Sequence, residues 1–395
     1  MRILHTVTYY HPHWTGLAKV VRLLAEGHAA RGHEVTVLTS RHSPDLPRRE
    51  FLNGVTVYRL AALARISRGM LMPSFPTAAH ALIGEHDVVH VHIPMLETWL
   101  VTEMARRKGV PSVVLNHGDL IMPAGPFNQF IQRTLRALMT RGLEAATAVT
   151  VHTEDYAQHS EFVWPFHDKL HCIFPPEEIP VANPEGVRAL RERLGLGEAP
   201  VVGFAGRFVE EKGFDYLLRA VPLVTAEIPD IRFVFAGERF VAYERFYEQW
   251  AHLFEQQRDR VIPLGLLHDP QDLADFFAMC DAFTIPSRTD CFPSVQVEVM
   301  MSGTPVVTTD IPGARVAVQV TGAGLLVEPR NPRALADGII QVLRNPAAYT
   351  KPRPEVEAIL GRERSLDEYE ALYRSLVEGK IARPQAMSAR VPETP

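Results

Sequence analysis

Short apolar segments alternate with longer segments in which apolar residues recur every three or four positions. Residues 2–7 form the first apolar run, and residues 17–31 follow with the spacing of an amphipathic helix. Strands that alternate with helices in this way predict a parallel sheet with helices on both faces, the doubly wound α/β fold. The other strands predicted in this half of the chain are residues 35–38, 55–59, 88–91, 112–115 and 148–152, and another long helix is predicted at 127–145.

The alternation stops at residues 174–184, where four prolines in eleven residues predict an extended linker. It then resumes, so we predict two Rossmann-like domains, residues 1–180 and 181–364. Apolar residues at helical spacing predict a last helix at 365–381, and the polar, proline-containing residues 382–395 are predicted to be disordered. The strands predicted in the second domain are residues 201–204, 232–236, 261–263, 282–285, 305–308 and 324–327.

Composition narrows the class of protein. The 395 residues are 46% hydrophobic and 22% charged, as in globular proteins, and the net charge of −5 argues against general nucleic-acid binding. The three cysteines, Cys172, Cys280 and Cys291, have neither metal-site spacing nor a disulfide pattern. The chain starts in a strand pattern rather than a signal peptide, and no run reaches the ~18 apolar residues of a membrane span. We therefore expect a cytoplasmic protein.

Residues 60–83 combine apolar side chains with arginines, including Arg65 and Arg68. Such a segment can lie on a membrane surface, which would place the protein peripherally at the inner face of the membrane. The favoured interpretation is instead a helix and loop that cover the core of the first domain. Both interpretations remain open from the sequence.

Histidines are concentrated in the first half of the chain. His11 and His13, and likewise His90 and His92, are spaced two residues apart. No carboxylate or cysteine cluster completes a metal site around them, so we predict no metal. Polar groups that line a cleft, or ordinary hydrogen-bonded histidines, are the favoured interpretations.

The first candidate site follows the strand 201–204. Gly206-Arg207 and Lys212-Gly213 lie on the loop at the carboxyl end of this strand, where open α/β sheets bind ligands. Two cations beside glycines, whose backbone permits close approach, suit a diphosphate. Each charge-assisted hydrogen bond there contributes roughly 1.5–3 kcal/mol. The alternative is that Arg207 and Lys212 are solvated loop charges.

The second candidate site is residues 285–298, which follow another strand and open a helix. We expect Ser294 or a neighbour to cap this helix, whose free N–H groups suit an anion. Glu298, one turn into the helix, is either a paired core charge or an acceptor for sugar hydroxyls. No P-loop and no Gly-x-Gly-x-x-Gly motif occurs, which disfavours ATPases and dehydrogenases.

Four motifs in this order resemble the retaining glycosyltransferases of family 4, over nearly the whole chain. They are residues 11–16 with 31–35, residues 206–213, residues 290–298 and residues 303–307. The resemblance implies the GT-B fold, in which two Rossmann-like domains face each other across a cleft and the last helix crosses back to the first domain. It also implies transfer of a sugar from a nucleotide-diphosphate sugar to a hydroxyl, with retention of configuration and with no cofactor or metal.

The same resemblance implies roles for individual residues. Arg207 and Lys212 would bind the donor diphosphate and stabilise it as it leaves. Glu298 would bind the ribose hydroxyls, while Asp290 and His117 would lie near the donor sugar. The other implied donor-site residues are Gly16 at the reacting centre, Gly206, the segment Phe292, Pro293, Ser294 and Val295 facing the sugar and phosphates, and Gly237, Glu238 and Leu266 on the nucleoside side.

Three positions depart from the family pattern. Asp290 stands where glutamate is usual, so its carboxylate is one methylene shorter and donor preference can differ. Thr15-Gly16 replaces a Gly-Gly pair, and Pro293 replaces a glycine. From the residues alone, His117 can also be a satisfied strand-end histidine, and Asp290 a turn or capping residue.

The acceptor is not specified by the sequence. A lipid-linked sugar, a growing polysaccharide and a small molecule all fit, with binding expected near residues 9–14, 90–94 and 117–119 of the first domain. Two other functions remain open on the same scaffold. One is a sugar-nucleotide epimerase, which would convert the donor without an acceptor, and the other is a non-catalytic protein that binds nucleotide sugars.

Overall fold

A computed structural model describes residues 1–66, 69–122, 125–241 and 244–379. The described chain forms two compact units, residues 1–176 together with 362–379, and residues 177–361. The boundaries predicted after residues 180 and 364 each lie within four residues of these. Arg68, the end of the predicted last helix and the predicted disordered tail 382–395 lie outside the described residues.

Sixteen strands occur in the described residues. In chain order they are β1 (Arg2–Thr6), β2 (Glu34–Arg41), β3 (Arg49–Leu52), β4 (Val55–Ala61), β5 (Ala64–Ile66), β6 (Gly69–Leu71), β7 (Val88–Ile93), β8 (Ser112–Asn116), β9 (Ala148–Val151), β10 (Leu170–Cys172), β11 (Val201–Ala205), β12 (Arg232–Ala236), β13 (Val261–Gly265), β14 (Ala282–Ile285), β15 (Val306–Thr309) and β16 (Leu325–Val327). Every strand predicted from the apolar runs is present.

Fourteen α-helices accompany these strands within the same described ranges. They are α1 (Gly16–Ala30), α2 (Phe75–Glu85), α3 (Thr98–Lys108), α4 (Pro126–Ala145), α5 (Glu154–Gln158), α6 (Pro184–Arg193), α7 (Phe214–Glu227), α8 (Phe246–Gln256), α9 (Pro270–Met279), α10 (Ser294–Met301), α11 (Ala314–Thr321), α12 (Pro332–Arg344), α13 (Arg353–Leu360) and α14 (Arg362–Val377). None of these helices is long and apolar enough to cross a membrane.

The first unit is built on an eight-stranded sheet in the order β10-β9-β8-β7-β1-β2-β4-β3. All neighbours are parallel except β3, which runs antiparallel to β4. The central strand β7 is buried at every position, as expected where helices cover both faces. Side chains of α1 and α14 pack on one face, and those of α2, α3 and α4 on the other. The predicted doubly wound architecture is confirmed.

The second unit has a six-stranded, all-parallel sheet in the order β13-β12-β11-β14-β15-β16. Its core contains apolar side chains of α7, α8 and α12 against the sheet. The strands β11, β12 and β13 follow one another outward from the centre of the sheet, and the chain then returns to the other side of β11 to form β14. The strand order therefore reverses between β11 and β14. Ligands of open α/β sheets bind at the carboxyl ends of strands on either side of such a switch point.

The described part of residues 60–83 covers the core of the first unit, as one of the two sequence interpretations predicted, but it also forms a hairpin that was not predicted. It contains the end of β4, the antiparallel hairpin β5–β6 and most of α2. Met70, Met72 and Phe75 are buried in the core, so much of the apolar content covers the first sheet. The hairpin was not predicted because its strands are only three residues long and show no alternating pattern.

The last helix, α14, belongs to the first unit, as predicted. Leu366, Tyr369, Leu372 and Tyr373 are buried against the same core as α1 and β1. The linker is extended, as its prolines predicted, and the Arg353 guanidinium donates hydrogen bonds to the carbonyl oxygens within it.

Candidate active site

Two strand-end loops of the second unit carry the predicted cations and carboxylate. The loop after β11 contains Arg207 and Lys212 and leads into α7, and the loop after β14 contains Asp290 and leads into α10. Because β11 and β14 are parallel neighbours, their carboxyl ends lie side by side. The structure therefore places these three residues at one edge of the sheet, next to its switch point.

The two loops contact each other through their backbones. Gly213 has a φ of 64°, and a Cβ on it would overlap the carbonyl oxygen of Pro286 in the neighbouring loop. The Arg288 N–H also donates to the carbonyl oxygen of Glu211 over 2.8 Å. Glycine is required at position 213 by both conformation and close approach. This contact holds the Lys212 side chain beside the loop that carries Asp290.

Lys212 forms an ion pair with Asp290, with 2.5 Å between Nζ and Oδ2. The two side chains are 26% and 9% exposed, respectively, so the pair opens to solvent mainly on the lysine side. Burial lowers the pKa of the Lys212 ammonium, but the carboxylates of Asp290 and Glu211 outweigh it and the net pKa lies above its usual value. Lys212 is therefore a permanent cation at neutral pH.

Arg207 has a carboxylate partner as well. Its Nη2 lies 2.9 Å from Oε1 of Glu211, and both side chains are partly exposed. An ion pair of this kind contributes only about 0–1 kcal/mol, so a competing anion can displace Glu211 at low cost. Both cations therefore have carboxylate partners, and Arg207, whose side chain is 39% exposed, is solvated as well.

A buried carboxylate behind the site joins the same loops. Asp215, at the start of α7, is fully buried and binds the Arg288 guanidinium through two hydrogen bonds of 2.7 and 2.9 Å. Arg219 also donates to Asp215 over 2.5 Å. The guanidinium of Arg288 stacks 4.2 Å above the Tyr216 ring. We call this group, Asp215, Tyr216, Arg219 and Arg288, the arginine clamp.

The helix α10 begins at Ser294, and Pro293 occupies its N-cap position without a capping side chain among the described residues. The predicted cap by Ser294 or a neighbour is therefore wrong, since proline has no side-chain acceptor. Gln296 is fully buried, and neither of its amide atoms has a hydrogen-bond partner in the described parts of the chain. Phe292 and Pro293 are buried, while Ser294, Val295 and Glu298 are half-buried.

The residues predicted for the nucleoside side lie at the same edge of the sheet. A Cβ on Gly237, after β12, would overlap the carbonyl oxygen of Gly206, so these two strand-end loops are also in backbone contact. The Phe208 N–H donates to the Glu238 carbonyl oxygen over 3.0 Å. Leu266, after β13, has an exposed side chain.

In the first unit, Gly16 is the first residue of α1 and no atom would obstruct a Cβ on it. The preceding Thr15 caps the helix, because its Oγ1 accepts a hydrogen bond from the Ala18 N–H over 3.1 Å. The departure from a Gly-Gly pair thus has a structural role. Whether Gly16 approaches a ligand stays a prediction.

His117 lies immediately after β8 and is half-buried. Its Nε2 is 3.0 Å from Nδ1 of His92, and its ring packs 5.3 Å from that of His152. His90 and His92 are fully buried on β7, so their side chains do not reach the surface, and acceptor binding near residues 90–94 stays a prediction. Residues of β7 cannot be exposed because helices cover both faces of this sheet.

His90 and His92 come together with a third histidine that the sequence did not single out. His5 is on β1, directly opposite His90 in the parallel register, and ring nitrogens of the three lie within 4.8 Å of one another. His5 Nδ1 is 2.9 Å from His92 Nε2, and the Tyr373 hydroxyl is 2.6 Å from His90 Nδ1. These contacts support the interpretation that the histidines are ordinary, hydrogen-bonded residues of the core.

Two family models match the chain, one for each unit. A model described as "Glycosyl transferase 4-like domain" matches residues 15–176, and one described as "Glycosyl transferases group 1" matches residues 199–345. The chain belongs to the group 1 glycosyltransferases. The prediction of a family 4 glycosyltransferase, an enzyme that transfers sugar from a nucleotide sugar, is confirmed, and the comparisons lend no support to an epimerase.

Relatives of this glycosyltransferase cover nearly its full length. It is 28% identical to D-inositol 3-phosphate glycosyltransferase 1 of Catenulispora acidiphila, over 93% of each chain. It is 29% identical to D-inositol 3-phosphate glycosyltransferase of Corynebacterium urealyticum, over 95% of each chain.

Solved structures share the fold of the glycosyltransferase. Sucrose-phosphate synthase from Thermosynechococcus elongatus superposes with a TM-score of 0.75 at 23% identity, over 96% of this chain and 99% of that one. Anabaena HepE in complex with UDP-glucose superposes with a TM-score of 0.74 at 18% identity, over 95% and 100%. The predicted GT-B fold is therefore confirmed.

Proposed function

We propose that the second unit of this glycosyltransferase binds the diphosphate of a nucleotide sugar with Arg207 and Lys212. The observation that carries the proposal is that both cations lie on the strand-end loop after β11, next to the switch point, each within 2.9 Å of a carboxylate. Anabaena HepE, which has the same fold, binds UDP-glucose. Under the proposal, the phosphates take over the cations that Glu211 and Asp290 hold in the free enzyme.

The exchange of partners has a chemical consequence at Asp290. When Lys212 turns to a phosphate oxygen, the Asp290 carboxylate becomes available to accept hydrogen bonds from hydroxyls of the donor sugar. Glu298, half-buried one turn into α10, accepts in the same way from the ribose. Under the proposal, the carboxylates orient the sugar and the ribose of the donor, and the cations neutralise the negative charge of its diphosphate.

The proposed transfer retains the configuration at the sugar C1. The bond from C1 to the phosphate oxygen breaks, a bond from C1 to the acceptor oxygen forms on the same face, and the acceptor proton passes to the departing phosphate. Negative charge grows on the diphosphate as it leaves, and preorganised cations stabilise that charge. The nucleotide sugar is a co-substrate, and the proposed reaction uses no other cofactor or metal.

Thermal denaturation with UDP, GDP and ADP tests the donor site. One of these diphosphates is expected to raise the melting temperature, because a ligand at 100 times its Kd stabilises the protein by about 2.7 kcal/mol. The corresponding nucleoside, which lacks phosphates, is expected to have a much smaller effect. The diphosphate with the largest effect identifies the base.

The double variant Arg207→Ala, Lys212→Met tests the two cations directly. The diphosphate should no longer raise its melting temperature. A nucleoside that stabilises as strongly as its diphosphate, or a double variant that still responds fully, would contradict the assignment of these two cations.

We also propose that the first unit binds a lipid-linked hydroxyl acceptor at the cytoplasmic face of an anionic membrane. Around the start of α4, Ile121, Phe127 and Phe130 are 62%, 66% and 68% exposed, an unusual concentration of apolar surface. Arg133 and Arg141 follow on exposed positions of the same helix. Exposed aromatic and basic residues on one helix are typical of a membrane-surface contact. The name of the relatives, D-inositol 3-phosphate glycosyltransferase, makes a soluble acceptor the alternative.

Sedimentation with lipid vesicles tests the membrane contact. The enzyme is expected to bind vesicles that contain anionic lipid and to bind purely zwitterionic vesicles much less, since each arginine near an anionic surface contributes about 1 kcal/mol. The double variant Phe127→Ser, Phe130→Ser should bind about tenfold or more weakly, because burying one phenylalanine contributes about 1.5–3 kcal/mol.

Phe51→Ser is the matched control, because Phe51 is 76% exposed on β3 of the same unit but lies on a different element. Its variant should bind vesicles like the wild type. Equal loss in both variants, or no binding to anionic vesicles, would leave the soluble acceptor as the better interpretation.

A further inference from the structure

The hairpin β5–β6 of the first unit has one face turned towards the core and one turned away from it. Its antiparallel register places Ala64 opposite Leu71 and Ile66 opposite Gly69. Directly opposite residues of such a pair point to the same face, and neighbours along a strand point to opposite faces. Met70, next to Leu71, is buried in the core of the first unit. The face that carries Ala64, Ile66 and Leu71 is therefore the outer one.

This outer face is apolar, although the water-facing positions of a half-buried antiparallel pair are normally polar. Ile66 and Leu71 are 46% and 37% exposed, and Leu63, just before β5, is 73% exposed. Ala64 is exposed among them. Contiguous exposed apolar side chains mark an interaction site rather than ordinary surface. We call Leu63, Ala64, Ile66 and Leu71 the hairpin patch.

The charge of the surrounding sequence indicates what the hairpin patch contacts. Residues 51–84 contain no aspartate or glutamate, although 46 of the 395 residues of the chain are acidic. Arg65, exposed on β5, lies within this stretch. Residues 120–143, which include Phe127 and Phe130 at the start of α4, also lack acidic residues. Apolar side chains with cations and without carboxylates are complementary to an anionic lipid surface, whose headgroups would repel carboxylates.

The two acid-free stretches emerge at the same edge of the first sheet. The strands from β8 to β4 run parallel, the hairpin follows the carboxyl end of β4, and α4 follows that of β8. In the order β8-β7-β1-β2-β4 these two strands are four spacings apart, roughly 19 Å at about 4.8 Å per strand. Between them, β1 and β7 flank the point where the strand order reverses, which is where open α/β sheets bind ligands.

We propose that the hairpin patch is a second membrane contact of this enzyme, which inserts into the same anionic lipid surface as the start of α4. The inference rests on the proposed function, in which α4 contacts the membrane. Two contacts on one surface strengthen each other, and together they fix the orientation of the first unit, which a single contact leaves free to rotate. The carboxyl ends of β1 and β7 lie between the contacts, so a lipid-linked acceptor would reach them without leaving the membrane.

Vesicle sedimentation of a hairpin variant tests the second contact. Leu63→Ser, Ile66→Ser removes two exposed apolar side chains and leaves the buried Met70 in place. It should bind vesicles that contain phosphatidylglycerol about tenfold or more weakly than the wild type, because binding scales with the apolar area inserted. Phe51→Ser is the matched control and should bind like the wild type, since Phe51 pairs with Thr56 near the other end of β4. An unchanged melting temperature shows that the hairpin variant is folded.

A fluorescent label on the hairpin tests insertion without removing the rest of the patch. Ile66→Cys, labelled with the environment-sensitive fluorophore NBD, should emit at shorter wavelength when phosphatidylglycerol vesicles are added. Lipids brominated on their acyl chains should quench it. Phe51→Cys with the same label should show neither effect, and the wild type treated with NBD gives the background from Cys172, Cys280 and Cys291.

The outcomes separate this inference from the proposed function. If the hairpin variant binds vesicles like the wild type while Phe127→Ser, Phe130→Ser binds weakly, the second contact is overturned and the contact at α4 stands. A label on Ile66→Cys that brominated lipids do not quench overturns the inference even if the hairpin variant is unfolded. Wild type that does not bind anionic vesicles contradicts the proposed membrane contact, and with it the inference.

Discussion

Replacing Lys212 with methionine is expected to lower the rate of sugar transfer by about 10²–10³-fold, the usual loss when one preorganised group that stabilises developing charge is removed. Methionine keeps most of the apolar stem and removes only the ammonium. The effect should fall mainly on kcat, because charge on the diphosphate is greatest as the C1–O bond breaks. Steady-state kinetics with nucleotide sugars that carry the base identified by thermal denaturation measure it.

A second substitution at the same ion pair should act differently. Asp290→Asn removes the carboxylate that holds Lys212 at 2.5 Å in the free enzyme. The ammonium is then free for phosphate, so binding of the nucleoside diphosphate should be retained or strengthened while transfer falls. Arg333→Ala, which removes an exposed, ion-paired cation on α12, is the control and should transfer at the wild-type rate. If Lys212→Met also transfers at that rate, the lysine does not stabilise the leaving group.

The second large effect is expected on stability, at the arginine clamp. Asp215→Asn should destabilise the second unit by about 3–5 kcal/mol, because it leaves the Arg288 guanidinium, which is mostly buried, without its carboxylate. The Asp and Asn side chains are nearly equal in size, so the loss of stability reflects the removed charge rather than altered packing. Urea unfolding, combined with hydrogen exchange of peptides from α7 and from residues 286–293, measures the loss and its location.

Arg344→Ala provides the comparison for the clamp. It breaks the exposed ion pair with Glu227, 3.0 Å long, and should cost no more than about 1 kcal/mol. The clamp also joins the loop before α7 to the loop before α10, so Asp215→Asn should loosen both. A cost at Asp215 as small as that at Arg344 would show that the clamp does not hold these loops together.

The strands and their carboxyl-end loops could be predicted because buried parallel strands are continuous apolar runs with glycines at their ends. Arg207, Lys212 and Asp290 were therefore assigned to strand-end loops from the sequence, and the structure places those two loops side by side. Short elements without periodicity, such as β3 and the hairpin β5–β6, could not be predicted in this way. Their pairing depends on contacts with β4 and with each other rather than on local pattern.

Partners of the site residues were not predictable, because side-chain direction in a loop is determined by tertiary contacts. Glu211 lies next to Lys212 in sequence but pairs with Arg207. Nothing in the sequence singled out Asp215, which is a buried acceptor for Arg288. Similarly, His5 drew no attention because its relation to His90 exists only once β1 pairs with β7.

The position of α14 has a consequence for biosynthesis. Residues 1–176 and this helix share one core, although some 185 residues of the other unit lie between them in the chain. A ribosome therefore completes the second unit before it delivers Tyr369 and Tyr373 to the sheet that they cover. Until then the part of that face that α14 covers is open to water and to chaperones, and the core that α14 shares with α1 is complete only once α14 has been synthesised.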